Sequence, residues 1–173
     1  MSDFVIVTLL ESNGLVGNLI SWRLESNWVH GIIQIDNDVY SSTFPVTIKV
    51  DPSFKDVAHP PRTGTSWRIP VTSDQKEKIR AYCESRVGKK YDVLSMVGWL
   101  FRIKALQIKN LTYCFEMVYD ALCAGGLVPY RNKKFISGDQ LEVFVLKLGG
   151  LQMTSNAVGM KKTIKKLMFL KGK

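Results

Sequence analysis

The chain is poor in the residues that build metal sites and disulfide frameworks. Its 173 residues include three cysteines, Cys83, Cys114 and Cys123, and two histidines, His30 and His59. The cysteines form no CxxC pair, so neither a disulfide framework nor a zinc site is supported, and no metal or cofactor is expected. A small, odd cysteine count fits a reducing compartment. No apolar run approaches the roughly 18 residues of a membrane span. The opening stretch, Met1 to Leu10, lacks a basic lead and a small-residue cleavage site. It reads as a first strand, which argues against a secretory signal and for a cytoplasmic location. No internal repeat is visible.

What is present is apolar and basic. Hydrophobic residues make up 46% of the chain and aromatics 10%, which excludes disorder, and the length suits one domain with a sizeable core. The net charge of +9 is unevenly spread. Residues Lys161 to Lys173 hold six lysines and no acid, leaving only +3 on the body. Nucleic acid is therefore not expected as the body's partner.

The pattern of apolar residues predicts a strand over Phe4–Leu10, a helix over Leu15–Leu24, and a strongly apolar strand over Trp28–Ile35. A turn at Asp36–Asp38 returns the chain as a strand over Val39–Thr43. Prolines at 45, 52, 60 and 61 mark residues 45–68 as an ordered connection with at most a short strand at Val46–Val50. Arg68–Val71 reads as a short edge-type segment because Pro70 cannot donate to a ladder. Thr72 or Ser73 caps a helix from Asp74 to Val87, ended by Gly88. Two further helices are expected over Asp92–Phe101 and Tyr113–Ala124, and Asp139–Leu148 fits a helix or a strand. Gly149–Gly150 divides a body, residues 1–150, from a basic C-terminal segment, residues 151–173.

Cys114 carries the most chemical information. With Thr112 as N-cap it falls in the first turn of a helix, where unpaired N–H groups and the dipole favour a thiolate. His30 stands on the apolar strand and can serve as general base. A base needs an orienting partner, and the return strand offers Ser41, Ser42 and Thr43, with Gln34 and Asp36 as weaker choices; the register is not fixed by sequence. Cys83 and Cys123 read as packing residues and His59 as an exposed loop residue.

Five ordered segments make the reading more specific. They are Gly17-Asn18-Leu19-Ile20-Ser21-Trp22, Trp28-Val29-His30-Gly31-Ile32-Ile33, Gly88-Lys89-Lys90-Tyr91-Asp92, Tyr113-Cys114-Phe115-Glu116-Met117-Val118 and Ile136-Ser137-Gly138-Asp139-Gln140-Leu141. Together, with His before Cys, they resemble the circularly permuted branch of the papain-like, NlpC-type cysteine hydrolases, and within it the YiiX/YaeF-like group. Bacterial and tailed-phage proteins of this size share that plan.

The resemblance implies an α+β fold in which an antiparallel sheet packs against helices and the nucleophile begins a helix. It implies Cys114 as nucleophile, His30 as base, and Tyr113 and Phe115 at the oxyanion or substrate. Tyr91 and Asp92 take structural roles. The activity implied is hydrolysis of amide or ester bonds in a peptide, a peptidoglycan stem or an acyl amide. Two departures stand out: Phe115 replaces the usual small serine, and the third position offers hydroxyls. A hydroxyl supports an imidazolium less than a carboxylate does. A catalytically weak or inactive module, acting as a phage-type structural or accessory binding protein in a host cytoplasm or virion, is the alternative. A membrane-associated acyltransferase or lipase-like enzyme is another.

The C-terminal segment alternates Val158, Ile164, Leu167, Met168 and Leu170 with Lys161, Lys162, Lys165 and Lys166, an amphipathic helix pattern. It suits a solvated helix docked on the body, an anionic membrane, a partner protein or nucleic acid. The oligomeric state is not legible.

Overall fold

Val5, Val7 and Leu9 alternate with Phe4, Ile6 and Thr8, and that period of two sets which face of the molecule is dry. The computed structural model describes residues 3–12, 14–51, 63–101, 103, 111–130 and 136–153. His59 and the lysine-rich segment from 154 onward lie outside the described residues. The described chain runs β1 (Asp3–Glu11), α1 (Leu15–Leu24), β2 (Trp28–Ile35), β3 (Asp38–Ser42), β4 (Thr47–Val50), β5 (Gly64–Val71), α2 (Ser73–Arg86), α3 (Val93–Phe101), α4 (Cys114–Ala124), α5 (Gly138–Lys147) and β6 (Leu151–Met153).

The strands form one antiparallel sheet in the order β4-β3-β2-β1-β5-β6, so the fold is α+β as expected. One face is dry. Val5, Val7, Leu9, Ile33, Ile35, Tyr40, Trp67 and Ile69 meet Met117, Val118 and Leu122 of α4, Leu141 and Val145 of α5, and Ile79 and Cys83 of α2. The other face is half-solvated, as single-sided antiparallel sheets usually are. There Thr8 bonds Ser66, and the Arg68 guanidinium lies 3.4 Å from the Phe4 ring centroid.

A bulge positions the start of β2. Leu10 pairs with His30 and Glu11 with Trp28, two steps on β2 for one on β1. The extra residue, Val29, lets Trp28 join the core side. Its ring packs edge-on to Trp67 at 6.1 Å, and its Nε1–H donates to Glu142 at 2.9 Å. At the other end of β2, Asp36 takes a positive φ of 53° in the turn. Lys76 and Arg80 of α2 grip Asp36 there.

Two readings are corrected and one open choice is decided. β5 begins at Gly64, not at Arg68, and is not an edge for its whole length: β6 pairs with Ser66–Arg68. Pro70 lies beyond that short strand, where no ladder donor is needed on that side. The sheet continues through Leu151–Met153, three residues past the Gly149–Gly150 divide. The last segment of the body resolves as a helix, with a capping box between Ser137 and Gln140.

Candidate active site

Helix α4 begins one residue later than its cap signal suggested. Tyr113, not Thr112, is the N-cap, and Cys114 is the first helical residue. Thr112 is held otherwise: it bridges Tyr91, and its carbonyl accepts from the Ser42 hydroxyl at 2.9 Å and from the Asp92 N–H at 3.3 Å. The segment before α3 is sewn in by the same logic. Val46 bridges Lys90, and the Tyr91 N–H donates to the Pro45 carbonyl. Asp92 is fully buried and caps α3, accepting from the Ser95 N–H at 2.7 Å. These ties fix where Tyr91 and Cys114 stand.

The sulfur of Cys114 sits against backbone and phenol donors. The N–H groups of Gly31 and Phe115 and the Tyr91 hydroxyl bond toward it. Gly31 is next to His30 on β2. The β2–β3 ladder ends at Ile33 opposite Tyr40, so Gly31 lies beyond it and its amide is turned to the thiol. The side chain is 4% exposed. Burial pushes the thiol pKa up, and this outweighs the donors that pull it down. The thiolate expected from a helix N-terminus is thus not the resting form: the amides act in the expected direction, and desolvation wins.

His30 is half-buried, and its Nε2 lies 2.9 Å from Ser41 Oγ. Register separates the three hydroxyls. Tyr40 and Ser42 share one face of β3 and Ser41 takes the other. Ser42 is fully buried, donates to Thr112 and accepts from Thr47, so it braces the approach to α4. Thr43, buried at the end of β3, follows it. Ser41 is bonded to His30 Nε2. Gln34 instead donates to the Asp36 carbonyl, while the Asp36 carboxylate pairs with Lys76 and Arg80.

Tyr113 and Phe115 are placed by packing. The Tyr113 hydroxyl donates to the Ile136 carbonyl and accepts from the Ile136 N–H at 2.7 Å, anchoring the entry to α5. The Phe115 ring lies in the core under Gly31, where a Cβ on Gly31 would come within 3.0 Å of it. The large residue after the cysteine is accommodated by the missing side chain on β2. Phe115 meets the sulfur through its N–H.

Tyr91 is the residue that sequence reasoning underweighted. Burial, and then the neighbouring Cys114, push its pKa well up, so the phenol remains a proton donor. Its position within Gly88–Asp92 was visible, but its contact with the thiol is tertiary. Cys83 is fully buried, its thiol pushed up to about 12 by desolvation, and Cys123 is partly buried. Among the described residues no group of three or more His, Cys, Asp or Glu side chains is disposed to hold a metal ion. No protein-family model matches the chain, and no curated protein or solved structure is significantly similar to it.

Proposed function

We propose that the protein is a cysteine hydrolase of amide or ester bonds, with a permuted papain-like fold, in which Cys114 is the nucleophile and His30 the base. One observation carries the reading: the Cys114 sulfur receives the amide of Gly31, the residue beside His30, while His30 itself is held by Ser41. With Nε2–H donating to Ser41, proton transfer falls to Nδ1. His30 takes the thiol proton as sulfur attacks the carbonyl, so the thiolate need exist only during the reaction. The amine or alcohol leaves with that proton, and a water activated by His30 then opens the thioester. Donors at the start of α4 and the Tyr91 hydroxyl are suited to the developing oxyanion. The substrate class is a peptide, a peptidoglycan stem or an acyl amide.

The low exposure of Cys114 favours a second reading, a papain-like module of weak or no activity that serves as a phage-type structural or accessory binding protein. An acyl-type thiol probe separates the two. Under the hydrolase reading it acylates Cys114 with turnover and fails on His30→Ala. Stoichiometric or absent labelling, equal in both proteins, supports the inert module. The acyltransferase or lipase-like alternative rested on the lysine-rich segment outside the described residues.

A further inference from the structure

Helices α1 and α3 lie against each other, and both turn large apolar side chains to solvent. On α1, Leu15, Leu19 and Trp22 recur at i, i+4 and i+7, one helical face, and are 89%, 57% and 75% exposed. On α3 and just beyond it, Val93, Leu94, Phe101 and Ile103 are exposed as well. Single exposed apolar residues are ordinary; this many on two touching helices mark an interaction surface.

The charge of the flanking sequence narrows the occupant. Arg23 follows Trp22, and exposed Lys89 and Lys90 lead into α3. Arg102, Lys104 and Lys109 follow in the sequence, and the only acid between Lys89 and Thr112 is Asp92, which is buried against Ser95. Glu25 at the end of α1, and Glu11 next to the Ser12 that bonds Asn18 of α1, are opposing charges. The occupant must therefore be apolar and anionic together. The chain's own last segment is apolar but carries six lysines and no acid from Lys161 to Lys173, and a second copy presents the same positive surface. Both are repelled. An anionic bilayer offers acyl chains to Leu15, Leu19, Trp22 and Phe101 and headgroups to the basic side chains. We propose that the α1–α3 surface docks peripherally on anionic phospholipid membranes. Among the described residues no helix is long and apolar enough to cross a membrane, so the association is a surface one.

The test is cosedimentation of the full chain with phosphatidylcholine vesicles, with and without phosphatidylserine. Wild type binds the phosphatidylserine vesicles, and salt weakens the binding. The double substitution Leu19→Glu, Trp22→Glu lowers affinity roughly tenfold or more, since two inserted side chains are withdrawn. The control Val143→Glu, at an exposed position of α5, leaves binding unchanged, and so does Cys114→Ser, because docking does not depend on the proposed chemistry. Should the glutamates disturb folding, Leu15→Ala with Leu19→Ala keeps helix propensity and weakens binding several-fold. Wild type that ignores anionic vesicles overturns the proposal, as does binding of an acidic amphipathic peptide in their place. Undiminished vesicle binding by both double variants also overturns it and assigns the contact to another part of the chain.

Discussion

The amide of Gly31 points at the sulfur of Cys114, so the strand that carries His30 and the helix that starts with the cysteine meet at one atom. That contact depends on Gly31 having no side chain, because the Phe115 ring fills the space below it.

Gly31→Ala brings a methyl group within 3.0 Å of Phe115, and Gly138→Ala brings one within 2.2 Å of the Trp28 Cβ. The first neighbour is a ring that can yield slightly; the second is fixed near backbone. Denaturant unfolding should show Gly138→Ala as the costlier change, at about 2–3 kcal/mol, with Gly31→Ala nearer 1 kcal/mol. Thiol reactivity should respond to Gly31→Ala and not to Gly138→Ala.

Ser41 and Ser42 are adjacent but predict opposite phenotypes. Ser41→Ala removes the hydroxyl from His30 Nε2, and catalysis should fall about tenfold with little change in stability. Ser42→Ala removes a buried bond to the Thr112 carbonyl and should cost about 1 kcal/mol of stability. Parallel melts and turnover rates decide; a reversed pattern would mean that the register has been misassigned.

That pair also marks what the sequence could and could not disclose. Helix α1 and strand β2 were readable to the residue, because apolar spacing and the breaks at Gly14 and Ser26 are local signals. The capping box from Ser137 to Gln140 is a local signal of the same kind. By contrast, Gly64–Trp67 becomes strand by pairing with Val7–Leu10 of β1, and Leu151–Met153 by pairing with Ser66–Arg68. The choice among Ser41, Ser42 and Thr43 depends on cross-strand register. Tyr91 reaches the thiol because Thr112 bridges it across 21 positions of chain, a distance no local pattern reports.

Tyr91→Phe removes one donor that holds the Cys114 pKa down. The thiol pKa should rise further, and its alkylation at fixed pH should slow. Mass spectrometry of the Cys114 peptide, across a pH series, checks this; an unchanged profile would deny the hydrogen bond.

Cys83 and Tyr40 link stability to alkaline pH. Their pKa values are raised by burial, each to about 12, from 9.0 and 10.0. The unfolded chain releases these protons first, so their stabilisation is intact below pH 9 and is lost as pH climbs toward 12. At the acid end, Asp36 is held low by its bond to Lys76, so its contribution is present above pH 3.8 and lost as pH falls through the folded value. Thermal melts should fall above pH 9, and Cys83→Ala, though less stable throughout, should fall less steeply there. Equal slopes would remove Cys83 from the account.

The most direct measurement is the rate at which an acyl-type electrophile modifies Cys114, followed against pH in wild type and in His30→Ala. Burial keeps the thiol neutral, and under the proposed mechanism the cysteine is reactive at pH 7 only if His30 accepts its proton. The account predicts rapid modification of wild type at pH 7 and a loss of about 100-fold or more in His30→Ala, with reactivity returning only well above pH 9. Matching rates and matching pH profiles in the two proteins would contradict it.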